Sequence, residues 1–280
     1  MEKAIKRYFP IFVLPTMIAF TLGFIIPFVE GVYLSFCKFT TVNDAKFIGF
    51  ANYAKVFADE TFVHAFWYTA AFTVVSVILI NVLAFAVALL LTKGFKGTNI
   101  FRTVFFMPNL IGGIVLGYIW QLLLNGILMK FSRTLTYSST YGFWGLIILM
   151  CWQQIGYMMI IYIAGIQNIP GELIEAAEID GATKWQILKK VTIPMVMPSI
   201  TVCTFLTLTN SFKLFDQNLA LTNGEPSKMS EMLALNILNT FYGRTGYEGV
   251  GQAKAVIFFI LVTVIALTQN YLTRRKEVQQ

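Results

Sequence analysis

Few residues in this 280-residue chain could do chemistry, and their types limit what that chemistry is. Gln153, Asn210, Lys213 and Asp216 are polar groups in or at the ends of apolar runs, and Trp120 and Trp152 are rings similarly placed. Amides, one cation, one carboxylate and two indoles can hydrogen-bond and stack against a polar solute in a watery path. Taken singly, each is explained better as a hydrogen-bonding or packing group between helices. The sole histidine, His64, removes multi-histidine metal sites and most acid–base machinery, and it stands where a wet surface residue would. Cys37, Cys151 and Cys203 are far apart and form neither a disulfide framework nor a C-x-x-C metal pattern. The phosphate-cradling pattern G-x-x-x-x-G-K-[ST] is absent, and Gly249-Val250-Gly251 lacks the third glycine of a dinucleotide fingerprint. The chain is expected to bind no nucleotide, hold no metal and catalyse no reaction.

What positions these residues follows from composition. The chain is 57% hydrophobic, 15% aromatic and 12% charged, with mean hydropathy +0.69, which is too apolar for an ordinary soluble domain. Its net charge of +7 and pI near 9.2 do not point to nucleic acid, because the cations flank apolar runs. Six runs are long enough to be spans, near residues 9–36, 66–91, 103–124, 142–166, 195–215 and 253–272. The first follows Lys3, Lys6 and Arg7 but is longer than a signal-peptide core and lacks a small-residue cleavage site. It reads as a retained span, kinked at Pro15 and Pro27.

Cations at Lys3, Lys6 and Arg7, at Lys93, Lys96 and Arg102, and again at Arg274, Arg275 and Lys276, place those segments and both termini in the cytoplasm. Residues 37–64 and 125–141 then lie outside, as does a long polar segment at 217–252 with a helix near 232–241. Gly113 and Gly117 have the G-x-x-x-G spacing that allows close helix approach. Lys213 is the only cation placed near a span core. The expected fold is all-α, a polytopic membrane protein of about six transmembrane helices forming one domain, 1–280.

The loop between the fourth and fifth runs differs from the rest of the chain. Glu172, Glu175, Glu178 and Asp180 precede Lys184, Lys189 and Lys190, a charged island in an apolar protein. Pro170 suits a first helical turn and Glu172 the positive end of its dipole. Leu173, Ala176, Ala177 and Asp180 share one smooth face. Gly181 is expected to end this helix in a left-handed conformation. Thr183 and Gln186 have capping-box spacing, and Trp185, Leu188, Val191 and Thr192 repeat on a second short helix that Pro194 stops.

Glu175-Ala176-Ala177, Asp180-Gly181-Ala182 and Ile193-Pro194 with Pro198 resemble the EAA loop of binding-protein-dependent ABC importer permeases. Two further phrases are similar to that family's carbohydrate-uptake branch: Phe47-Ile48-Gly49-Phe50-Ala51-Asn52-Tyr53, and the stretch from Phe212 to Asp216. The resemblance implies an ATP-driven importer for a sugar, chiefly a di- or oligosaccharide. Its implied partners are a second permease, an ATPase dimer that binds ATP and magnesium, and an extracytoplasmic solute-binding protein. Glu175 would be the charged contact with the ATPase, Ala176 and Ala177 the close-packing face, and Gly181 the elbow. The implied location is a bacterial or archaeal plasma membrane. A glycerol-3-phosphate permease shares this architecture, although an anionic phosphate favours more Arg or Lys along the path. An ion-coupled secondary transporter would show acids well inside spans and internal repeats, neither of which is evident.

Overall fold

The computed structural model describes residues 2–94 and 96–274. Arg275 and Lys276, assigned above to the basic C-terminal flank, lie outside the described residues, as do the side chains of Lys3, Lys6 and Arg7. Among the described residues, nearly all regular structure is helical, and five helices are long and apolar enough to cross a membrane. A helix pair bent by 69°, Lys184–Met195 with Met197–Phe212, is long and apolar enough to make a sixth if the two count as one span. This is the expected all-α membrane architecture. The contacts divide the chain into two units, one of residues up to Glu60 with Ile237–Ile260, the other of Thr61–Asn236 with the chain from Leu261 onward.

In the first unit, α1 (Glu2–Phe20) runs through a π turn, Thr21–Ile25, into α2 (Ile26–Ser35). Pro15 sits within α1, which is helical on both sides of it. The irregularity lies just before Pro27, where the Ile26 N–H reaches back five residues to the Thr21 carbonyl. Widening one turn moves aside the carbonyl that the Pro27 ring would strike. Beyond α2, β1 (Cys37–Lys38) pairs antiparallel with β2 (Lys46–Phe47), and α3 (Ala51–Phe57) follows a turn at Gly49, φ +62°.

Asn52 explains why this segment is ordered. Its buried amide donates to the carbonyl of Ser35 at 2.9 Å, which the end of α2 leaves without a helical partner, and to that of Cys37 in β1 at 2.8 Å. Tyr53 adds a 2.7 Å hydrogen bond between its hydroxyl and Ser35 Oγ. Gly249, near the start of α14 (Glu248–Arg274), packs on this clamp; a Cβ there would meet the Asn52 amide nitrogen at 2.7 Å.

Lys254 lies nearly two turns into α14 and is fully buried, donating to Asp59 at 2.7 Å and Thr240 at 2.8 Å. This corrects the expectation that Lys213 alone brings a cation near a span core. The apolar run starts at residue 253, but the helix starts at Glu248, so Lys254 is carried inside.

The second unit is centred on α7 (Ser139–Gln167), whose apolar window is 67% buried. Helix α4 (Glu60–Leu91) starts earlier than its apolar run and buries Thr69, Phe72, Ser76, Ile80, Ala84 and Ala88, a stripe at three- and four-residue spacing. The expected third span is broken. Helix α5 (Thr98–Phe106) gives way to a 3₁₀ turn at Met107–Leu110 before α6 (Gly113–Leu128) begins. Pro108 withholds an N–H, and Ile111 is extended, so the helix cannot continue. Helix α5 lies across α7 at Gly156, where any Cβ would collide with the Phe105 carbonyl.

The largest difference from expectation is the polar stretch after α11 (Met197–Phe212). Helix α12 (Asp216–Leu221) is folded inward against α6 and α7. Gly113 and Gly117 do serve close packing, but against this short helix: a Cβ at Gly117 would stand 2.5 Å from Ala220 Cβ, and one at Gly113 2.7 Å from Asp216 Cβ. Asn218, fully buried, secures the return. It accepts the Met232 N–H at 2.9 Å and donates to the Ser230 carbonyl at 2.8 Å and Thr222 Oγ1 at 3.0 Å. Polar residues are buried here because their hydrogen bonds are met internally. Helix α13 (Leu233–Gly243) follows, near the expected helix at 232–241.

Candidate functional site

Two places gather the residues singled out above. The first is the loop after α7. Helix α8 (Gly171–Ile179) has Pro170 as its N-cap, one position before the first turn. At its other end the Ala182 N–H bonds the Ala177 carbonyl at 2.9 Å and the Gly181 N–H bonds the Glu178 carbonyl at 3.0 Å. With Gly181 at φ +77°, this is a Schellman ending, which only glycine adopts without strain. The Thr183 N–H donates to Gln186 Oε1 at 2.7 Å, closing the capping box that starts α9 (Lys184–Ile187).

Pro194 does not stop this second helix. The chain passes through a π turn, Leu188–Thr192, into α10 (Ile193–Met195) and breaks at Val196, before Pro198 in the first turn of α11. The π turn again directly precedes a proline, with Ile193 N–H bonding Leu188 O five residues back. Ser199 then packs against Gly165 on α7.

On this block Glu175, Ala176, Asp180 and Gly181 are exposed, while Ala177, Ala182, Ile193 and Pro194 are half-buried. Two large apolar side chains flank the elbow: Ile179 is 86% exposed and Trp185 69%. Sequence reasoning placed Trp185 in a helical repeat and gave Ile179 no role. The signal available was an aliphatic residue and an indole on opposite sides of a glycine in a charged loop.

The second place is a cavity of about 300 Å³ lined by Met150 and Gln154 of α7, Asn210 of α11, and the run from Lys213 to Gln217. It brings together Asn210, Lys213 and Asp216 as lining residues. Gln153 faces elsewhere, accepting from Gln217 Nε2 at 2.8 Å and donating to the Ile111 carbonyl at 3.4 Å. Its neighbour Gln154 lines the cavity. Gln154 donates to Asn109 Oδ1 at 3.4 Å, but its own Oε1 is buried with no hydrogen-bond partner among the described residues. A buried oxygen left so is costly. Trp120 and Trp152 pair with each other, ring centroids 5.7 Å apart, and neither is among the lining residues.

Comparison with known proteins identifies the family. Residues 80–278 match the family described as binding-protein-dependent transport system inner membrane component. A probable starch degradation products transport system permease protein of Thermoanaerobacterium thermosulfurigenes is 42% identical, over 96% of this chain and 94% of that one. A trehalose transport system permease protein of Mycobacterium tuberculosis is 32% identical, over 81% of this chain and 75% of that one. A crystal structure of a bacterial ABC transporter involved in the import of the acidic polysaccharide alginate contains a chain of the same fold, TM-score 0.82 at 23% identity, covering 98% of each chain. With its apolar spans and its helix–elbow–helix loop, the chain belongs to the inner membrane components of binding-protein-dependent transport systems, as a multi-pass permease subunit of an ABC importer.

Proposed function

We propose that this permease carries a neutral di- or oligosaccharide through the plasma membrane of a bacterium or archaeon, paired with a second permease. ATP and magnesium are bound by a partner ATPase dimer, and sugar arrives on an extracytoplasmic solute-binding protein. Both termini and the loop of residues 167–193 face the cytoplasm, in keeping with the distribution of Lys and Arg.

The observation that carries this reading is the block from α8 to α10. It is an exposed pair of helices joined by a glycine elbow, and beyond the bend at Val196 it leads into α11, which packs on α7 through Ser199 and Gly165. Such an element can pass a displacement from a docked protein to two spans at once. Glu175, Asp180 and the Ala176/Ala177 face, with Ile179 and Trp185, form the docking surface. Gly181, Ala182, Ile193 and Pro194 set its shape.

The cavity serves as part of the sugar path. Its lining offers an amide-rich wall with Asn210, Gln154 and Gln217, one cation, Lys213, and one carboxylate, Asp216. Balanced charge and several amides suit hydroxyl groups better than a phosphate, which supports a neutral glycan over glycerol-3-phosphate. The names of the two sugar-transporting relatives support the same substrate class.

Purification of the detergent-solubilised complex tests this directly. A co-purifying ATPase and second permease, with a solute-binding protein that binds a neutral oligosaccharide, is the expected result. A chain that transports with no ATPase present would belong to an ion-coupled carrier.

A further inference from the structure

The hairpin after the first span carries an exposed surface that the transport reading does not use. A 25-residue span, Ile11–Ser35, rises roughly 37 Å at 1.5 Å per residue. That length crosses a hydrocarbon core of about 30 Å. Phe36, the first residue beyond α2, therefore stands at the membrane boundary. Other rings gather on it: Phe47 at 6.4 Å, Phe50 at 5.2 Å and Tyr53 at 5.2 Å between centroids. Tyr53 and Asn52 tie the inner side of this cluster to the end of α2.

The outer side is open. Phe47 is 66% exposed, Phe50 75% and Phe57 70%. Phe50 and Phe57 are seven residues apart on one side of α3, whose other side buries Asn52 and Val56. The patch extends the exposed apolar stripe of α2 at Val29 and Tyr33.

Charge supplies an independent indication. Lys38 and Lys46 are direct partners in the ribbon, so their exposed side chains share one face. Like charges in that position destabilise a strand pair unless an anion meets them. Lys55 adds a third exposed cation, 5.7 Å from the Tyr247 ring. Asp44, the one acid of residues 36–57, attracts Lys46, but one of its oxygens accepts the Thr40 and Thr41 N–H groups at 3.0 Å. Exposed rings beside unmatched lysines, at the end of a span, fit the lipid–water interface, where rings sit at headgroup depth and ammonium groups meet phosphate.

We infer that residues 36–57 form an interfacial anchor for anionic phospholipid. Phe47, Phe50 and Phe57 enter the boundary between headgroups and acyl chains, and Lys38, Lys46 and Lys55 hold headgroup phosphates. Lipid is the occupant because the patch is continuous with a membrane span and two of its three cations, Lys38 and Lys46, share one face of the ribbon. The inference needs only the boundary at Ser35, so it fails or holds separately from the choice of sugar or ATPase.

The test is a nitroxide at Phe50→Cys, with Cys37, Cys151 and Cys203 replaced by alanine, in the whole complex reconstituted into vesicles. In phosphatidylglycerol, relaxation by oxygen should exceed relaxation by a water-soluble nickel chelate. Phosphatidylcholine vesicles, or the Lys38→Gln/Lys46→Gln variant in phosphatidylglycerol, should lower that ratio by about twofold or more. A label relaxed mainly by nickel lies in water, one relaxed by neither is covered by protein, and a ratio equal in both lipids removes the role of phosphate. Any of these overturns the inference. Should the cysteine-free chain fail to fold, Phe50→Trp in the natural background gives the same reading with brominated phosphatidylglycerol. Quenching beyond that of the parent supports the anchor, and none overturns it.

Discussion

Gln217 donates a 2.8 Å hydrogen bond to the side-chain oxygen of Gln153, tying the short helix α12 to α7 beside the cavity. Gln153 thus shapes the wall that its neighbour Gln154 lines. Gln217→Ala is expected to weaken uptake affinity several-fold while the complex assembles normally, since a neutral hydrogen bond contributes about 1 kcal/mol. Gln153→Ala should have a similar effect, and the double variant little more, because the two changes remove one link. Uptake kinetics in proteoliposomes, with assembly followed by co-purification, distinguish this from general destabilisation.

Gly117 provides a packing test of the same helix. Valine there drives side-chain atoms into Ala220 and should cost about 1–3 kcal/mol by overpacking. At Gly126, on the same helix as Gly117, a side-chain carbon would meet nothing within 4 Å, so alanine should be accepted there at no cost. Thermal unfolding in detergent compares the two.

Asn218→Ala strands the Met232 N–H and the Ser230 carbonyl in a buried place. Each group left unpaired costs about 1–3 kcal/mol, so the segment from Thr222 to Met232 should exchange its amides faster and be cleaved sooner by protease. Unchanged hydrogen exchange there would mean that Asn218 does not secure the fold of α12.

Asp59→Ala removes the carboxylate that meets the buried Lys254 ammonium at 2.7 Å. Loss of one partner from a buried pair costs about 3–5 kcal/mol, and Asp59→Ala with Lys254→Met should recover much of it. Melting temperatures of the two variants, each against the parent, test this.

The sequence made some of this legible and hid the rest for physical reasons. Helices α7 and α14 appear as apolar length, and the α8–α9 elbow appears in Gly181 and in Thr183 with Gln186, because caps are local chemistry. The inward fold of α12 is not local: Asn218 finds partners at Ser230 and Met232, and Gly113 and Gly117 supply room from another helix. A polar stretch with such remote partners looks like a solvated loop. Gln153 and Gln154 could not be told apart, since successive helical residues point about 100° apart and only the packing decides which one meets the cavity. The break at Pro108 was hidden by the apolar residues on both sides of it.

The most direct measurement is ATP hydrolysis, stimulated by loaded solute-binding protein, in the reconstituted complex carrying Ala176→Trp or Gly181→Val. Ala176 is exposed, so an indole there leaves the permease fold intact and obstructs only what docks on it. Valine at Gly181 strains the elbow at φ +77°. Both variants should insert and pair with the second permease yet lose sugar uptake and stimulated hydrolysis together. Normal uptake and normal stimulation in both would contradict the coupling role of this loop.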